Sequence, residues 1–223
     1  ITGMHQISVG GQHMRTSSAP IGGYKSVPPV DVKAYPELLR GAGYYTWTDQ
    51  KLDYQFSGTQ AGSGPFTIWN DEGSDGHWRN RVDGQPFFGL MNFNVTHESG
   101  VMQPLGTWPH SPMHFVIQLV RAATMPSVEA TAPTTPAQVS LPPYYPDTQT
   151  VRADVAKHYN NIHAMDQQVG EVLAELKADG LLENTIVIWT TDHGDGLPRA
   201  KRDLFDSGIK VPMMIRWPEA YRP

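Results

Sequence analysis

Apolar positions along this chain follow two rhythms. Between about Arg152 and Asp179, the residues Val155, Tyr159, Ile162, Met165, Val169, Val172, Leu173 and Leu176 recur at three- and four-residue steps, the pattern of a helix with one apolar face. Gly180 follows as a stop signal, since glycine accepts the left-handed conformation at a helix end. The run TIVIWT, Thr185 to Thr190, is β-branched and apolar at successive positions, which predicts a strand buried on both faces. Pro36 opens PELLRGAG, a short predicted helix closed by Gly43, and YYTWT at 44–48 reads as a strand. QPFFGLMNFNVT (85–96) and IKVPMMIRW (209–217) predict two more strands, with Pro212 marking an edge, an entry or a bulge. Helices alternating with apolar strands predict an α/β fold, a mostly parallel central sheet with helices on both faces.

Two stretches break the rhythm. Residues 57–85 are rich in Gly, Ser and Asp and read as irregular; residues 123–150 carry proline at 126, 133, 136, 142, 143 and 146. Proline lacks an amide proton and restricts its neighbour, so the second stretch is expected to be an extended surface excursion. Periodic elements resume directly after it, which favours one domain over 1–223 with the excursion inside it.

Composition narrows the class. The chain has 223 residues, 39% hydrophobic and 17% charged, a globular balance with enough length for a sizeable core. A net charge of -5 argues against a nucleic-acid partner, which would need a basic face. With no cysteine, disulfides, thiolate metal sites and cysteine nucleophiles are excluded from this chain. No apolar run approaches the roughly 20 residues of a transmembrane helix, and ITGMHQISVGG has no signal-peptide pattern.

In parallel α/β sheets ligands bind beyond the carboxyl ends of the strands, and chemistry gathers there. Lys51 and Asp53 follow the strand at 44–48, His97 and Glu98 follow the one at 87–95, and TDHGDGLPRAKR follows TIVIWT. Asp192 is suited to a hard cation, and His193 beside it can ligate or hydrogen-bond. Alone, this pair also reads as a capped turn and a surface histidine. Arg199, Lys201 and Arg202 suggest oxyanion recognition, though any such cluster also reads as a solvated basic patch. Together, a metal, two lysines and a histidine around one oxyanion describe hydrolysis of a sulfate or phosphate ester, with His97 protonating the leaving oxygen.

These residues resemble the sulfatases of the alkaline-phosphatase-like superfamily. YNNIHAMDQQVGEVLAELKADGLLENTIVIWTTDHGDG, DSGIKVPMMIRWP, PFFGLMNFNVTHE and the opening ITGMH are similar to that family's motifs, and the similarity runs through most of the chain. The resemblance implies an alkaline-phosphatase-like α/β fold, incomplete in this chain. It implies that Asp192 and His193 hold a divalent cation, usually calcium, the second ligand often being Asn in the family. Lys201 and Lys51 would contact the sulfate, and His97 the sulfate and the ester oxygen. The family's GKWHLG context is here DQKLDYQF, so its histidine is missing; Asp53 and Tyr54 occupy that stretch without an assigned role, and Arg202 in the later loop has none assigned either.

The family nucleophile is a formylglycine made from Cys or Ser just ahead of the Thr-Gly that stands here at Thr2-Gly3, and no such motif occurs in this chain. The expectation is therefore a partial sulfatase catalytic domain, inactive alone, whose full-length form hydrolyses a sulfate ester or sulfamate on a small molecule or glycan. By family resemblance its location is periplasmic, secreted or lysosomal. The alternatives are a phosphodiesterase or phosphonate monoester hydrolase of the same superfamily, and a non-catalytic anion-binding protein.

Overall fold

A computed structural model describes residues 1–13, 16, 22–49, 51–52, 54–55, 68–98, 101, 112, 115–116, 118–119 and 133–222. Asp53, residues 57–67 and residues 123–132 lie outside the described residues. The chain divides into two units, Ile1–Asn92 and Phe93–Pro223.

The first unit is built on a three-stranded parallel sheet in the order β2-β1-β3, with β1 at Tyr45–Thr48, β2 at Asp71–Glu72 and β3 at Phe87–Leu90. Helix α1, Tyr35–Gly41, precedes β1. Pro36 sits in its first turn, where a missing amide proton costs nothing, and the Glu37 carboxylate reaches back to accept from the Ala34 amide at 2.8 Å. All four residues of β1 are buried, so its hydroxyls need partners. Thr46 Oγ1 donates to Asn70 Oδ1 at 3.2 Å, and Thr48 Oγ1 donates to the Leu90 carbonyl at 2.9 Å.

Trp47 sets the packing of this sheet. Its register partner is Gly89, where an added Cβ would lie 2.5 Å from the indole ring. Only glycine leaves room for the ring to cross the neighbouring strand. A second cluster joins Ala34, Leu52, Ile68 and Trp69, with Tyr54, Phe88 and Leu90 against it. Tyr54, which the sequence left without a role, is thus a packing residue. Its hydroxyl accepts from Trp69 Nε1 at 3.1 Å, and burial pushes its pKa up to about 12.

The second unit is organised by α2, the 30-residue helix Gln149–Ala178. Thr148 caps its start by accepting from the Val151 amide. Gly180, at φ 69°, turns the chain at its end, and the Leu181 amide donates to the Leu176 carbonyl at 2.8 Å. Val155, Ala156, Ala164, Met165 and Leu176 are buried as the periodicity requires, whereas Tyr159 is exposed. The described part of the proline-rich stretch lies along this helix. Val139 packs on Val155 and Ala156, and the Asn160 side chain bonds both the amide and the carbonyl of Thr134.

After α2 come a 3-10 turn at Leu182–Asn184, strand β4 at Val187–Thr190, the short helix α3 at Asp206–Ile209, and strand β5 at Met213–Arg216. β4 and β5 pair antiparallel, with Ile188 opposite Ile215. Two expectations are corrected here. Strand β5 does not join a parallel array with β4, because the loop and short helix α3 between them return the chain beside β4 in the opposite sense. Nor is β4 buried on both faces: Val187 and Trp189 are half-buried, while Ile188 and Thr190 are exposed. Residues 85–96 shorten likewise to β3 and a 3-10 turn at Asn94–Thr96.

Candidate active site

The loop from Thr191 to Phe205 carries most of the candidate chemistry, and backbone contacts hold it. The Gly194 amide donates to the Gly208 carbonyl at 3.0 Å and the Lys201 amide to the Asp195 carbonyl at 2.9 Å. The Asp195 carboxylate accepts from the Leu197 amide at 2.9 Å. Glycine is required where the chain crowds itself: a Cβ on Gly194 would fall 1.8 Å from the Ser207 carbonyl oxygen, and one on Gly208 2.2 Å from that of Asp203. Arg199 and Arg202 adopt φ of 69° and 77°, conformations that cost a non-glycine residue energy and persist only where surrounding contacts enforce them.

Those contacts separate the three cations. The Arg199 guanidinium lies 4.6 Å from the Tyr144 ring centroid and 4.2 Å from that of Phe205, a cation–π sandwich. Arg202 forms a two-pronged fork on Glu98, with NH1 to Oε2 and NH2 to Oε1 both at 2.8 Å. Lys201 Nζ lies 3.2 Å from the same Oε1. The Glu98 side chain is 14% exposed and Lys201 21%, while Arg202 is 64% exposed and covers them. Chiefly through the Arg202 fork, and with help from Lys201 against the opposing effect of burial, the Glu98 carboxyl is held down at about 2. Gly196 presses on this carboxylate's stem: a Cβ there would lie 2.4 Å from Glu98 Cβ.

His97, adjacent to Glu98, follows the 3-10 turn at Asn94–Thr96, with its amide donating to the Asn94 carbonyl at 3.0 Å. Val95 anchors this turn on Ala164 and Met165 of α2. Glu98 therefore ties the His97 backbone to the 191–205 loop, and His97, Lys201, Asp192 and His193 all belong to the second unit. Lys51 belongs to the first unit, exposed and at φ 64°. A depression of about 630 Å³ in that unit is lined by Lys33, Glu37, Arg40, Tyr44, Asn70 and Gln85 among others, and includes none of the candidate residues.

Asp192 and His193 stand side by side. His193 Nδ1 lies 2.7 Å from the Gly194 carbonyl oxygen, which can only accept, so the contact puts a proton on Nδ1. His193 Nε2 then faces Asp192 Oδ2 at 3.4 Å. With Nε2 unprotonated, the two atoms are neighbouring electron-pair donors; with Nε2 protonated, the two make an ion pair. Their side chains are 38% and 77% exposed, and no group of three His, Asp or Glu suited to a metal occurs among the described residues. Nearby, His158 Nε2 lies 3.9 Å from Asp195 Oδ2, and burial lowers the His158 pKa against the pull of that carboxylate.

Sequence reasoning singles out His97 and Lys201 as candidates but overlooks what Glu98 does. The contact spans 104 residues, and no local pattern announces it. The one signal was an acid immediately after His97 and a surplus of cations in the later loop.

A family model for sulfatases matches residues 2–223 of the chain. An ulvan-active sulfatase of Formosa agariphila is 42% identical over 97% of this chain and 38% of its own length. The human N-sulphoglucosamine sulphohydrolase is 34% identical over 61% of this chain and 27% of its own length. A choline-sulfatase of Rhizobium meliloti is 31% identical over 31% of this chain and 14% of its own length. The chain thus spans well under half of each of these relatives.

Proposed function

The chain belongs to the sulfatase family, and from that premise we propose that its full-length protein hydrolyses a sulfate ester or sulfamate, with the second unit supplying part of the active-site rim. The observation that carries this reading is the joining of the His97–Glu98 segment to Lys201 through the Glu98 carboxylate. A proton donor for the leaving oxygen and a cation for the sulfonyl oxygens are thereby tied into one loop system. In this reading His97 protonates the departing oxygen. Lys201 directs its remaining N–H groups at the nonbridging oxygens, where charge builds in the transition state. By family resemblance, Lys51 of the first unit is a further candidate sulfate-binding lysine. The N-sulphoglucosamine sulphohydrolase is named for a sulfated sugar and the choline-sulfatase for a small sulfate ester, so the proposed substrate class spans both.

Asp192 Oδ2 and His193 Nε2 fit two positions around a divalent cation, calcium by family resemblance. A bound cation would offset negative charge on the ester group. These two atoms supply a small part of the roughly six to eight ligands calcium takes, and an imidazole nitrogen suits calcium less well than oxygen. The other ligands, and the formylglycine nucleophile that the family uses, would come from residues beyond those assigned here.

The test is substitution in the full-length protein. Lys201→Ala and His97→Ala are each expected to lower turnover of a sulfate ester about 100-fold or more, the scale of losing one oxyanion donor or general acid, while circular dichroism shows the fold retained. Unchanged turnover in either variant removes that residue from the mechanism. Faster turnover of an aryl phosphodiester than of the matching aryl sulfate by the unmodified protein would move the assignment to the phosphodiesterases.

A further inference from the structure

Glu98 poses a chemical puzzle, because a carboxylate directly beside an anion-binding lysine ought to repel the anion. Its partners resolve the puzzle. The Arg202 fork takes up both Glu98 oxygens at 2.8 Å, so that carboxylate and guanidinium cancel and the positive charge of Lys201 is left over. Lysine has three N–H donors. One faces Glu98 Oε1 at 3.2 Å, which fixes the direction of a side chain that otherwise rotates freely and leaves two donors without a partner among the described residues. The clamp is itself constrained. Gly196 backs the Glu98 stem with no space for a side chain, and Arg202 holds a left-handed backbone at φ 77°.

We infer that Glu98 is a positioning residue, which, locked by Arg202 and Gly196, aims the Lys201 ammonium at the sulfate oxygens and sets it at a fixed distance from the His97 backbone. The inference rests on the reading of Lys201 as a sulfate-binding residue. It also assigns Arg202, whose role the sequence left open: Arg202 neutralises the positioner and does not itself touch the anion.

The sign of one measurement separates positioning from plain electrostatics. Replacing Glu98 by Gln removes a negative charge beside the site. By Coulomb attraction alone, the variant would bind sulfate more tightly. If Glu98 aims Lys201, the variant binds sulfate more weakly, because the ammonium is no longer held in line. Inorganic sulfate binding to the full-length protein is to be measured by calorimetry, alongside kcat and KM on an aryl sulfate. The expected result for Glu98→Gln is about tenfold weaker sulfate binding and a loss in kcat of ten- to a hundredfold, the scale of a small misplacement of a catalytic group. Glu98→Asp keeps the charge and shortens the reach, so it is expected to lose sulfate affinity as well; it carries the test if Glu98→Gln fails to fold. Tighter or unchanged sulfate binding in either folded variant overturns the inference while leaving the sulfatase reading intact. A full-length protein that neither binds sulfate nor turns over sulfate esters overturns the sulfatase reading, and the inference with it.

Discussion

Glu98 also makes the acid stability of the protein predictable. Its carboxyl titrates at about 2 in the folded protein against an ordinary 4.5, with Arg202 as the chief cause. A lowered folded pKa means that the folded state prefers the ionised form. The stabilisation is therefore present above pH about 4.5, and is lost as pH falls from there through about 2. Glu98→Gln is expected to flatten the fall in urea midpoint across that window, relative to the unmodified protein; identical pH dependence in the two would show that the pair contributes nothing to folding. At this scale the sequence was partly legible. His97, Lys201, Asp192 and His193 stand out as candidates because they follow predicted strands, and that is a local property. The division of labour among Arg199, Lys201 and Arg202 was not legible, because it depends on what Tyr144, Phe205 and Glu98 bring from elsewhere in the chain.

Strands and helices differ in how openly the chain declares them. Helix α2 was visible because its apolar repeat extends over many turns and ends at Gly180. Strand β5 was visible as an apolar run, but not its direction: MMIR reads the same whether its neighbour runs parallel or antiparallel. Direction is decided by the connection, and α3 is too short to have shown a pattern. The Trp47–Gly89 pair was equally silent, since a single glycine in a strand has many explanations. In the structure it has one. Gly89→Ala would drive a methyl into the buried indole, with an expected cost of about 1–3 kcal/mol, the usual scale for overpacking. Urea unfolding followed by tryptophan fluorescence checks this; a midpoint equal to that of the unmodified protein would show that β1 and β3 part easily.

At the scale of the whole molecule, the α/β class was legible from alternating helices and strands, because each element announces itself locally. The ribbon of β4 and β5 leaves Ile188, Met213, Met214, Ile215 and Trp217 exposed. A two-stranded ribbon is marginally stable alone, and an uncovered apolar face promotes association. A polypeptide of residues 1–223 is therefore expected to self-associate and to enhance the fluorescence of an apolar dye. Sedimentation showing a single monomeric species without dye binding would contradict that expectation. No helix among the described residues is long and apolar enough to cross a membrane, so a bilayer-spanning helix among them does not account for these side chains. The clamp between Glu98 and Arg202, 104 residues apart, has a kinetic consequence as well. Local structure such as α2 needs no long loop to close, whereas this pair forms only after a large stretch of chain has lost its freedom. On refolding, helical signal should return first and the Glu98–Arg202 clamp later, so that newly made chains pass through an interval in which they are mostly folded yet unclamped.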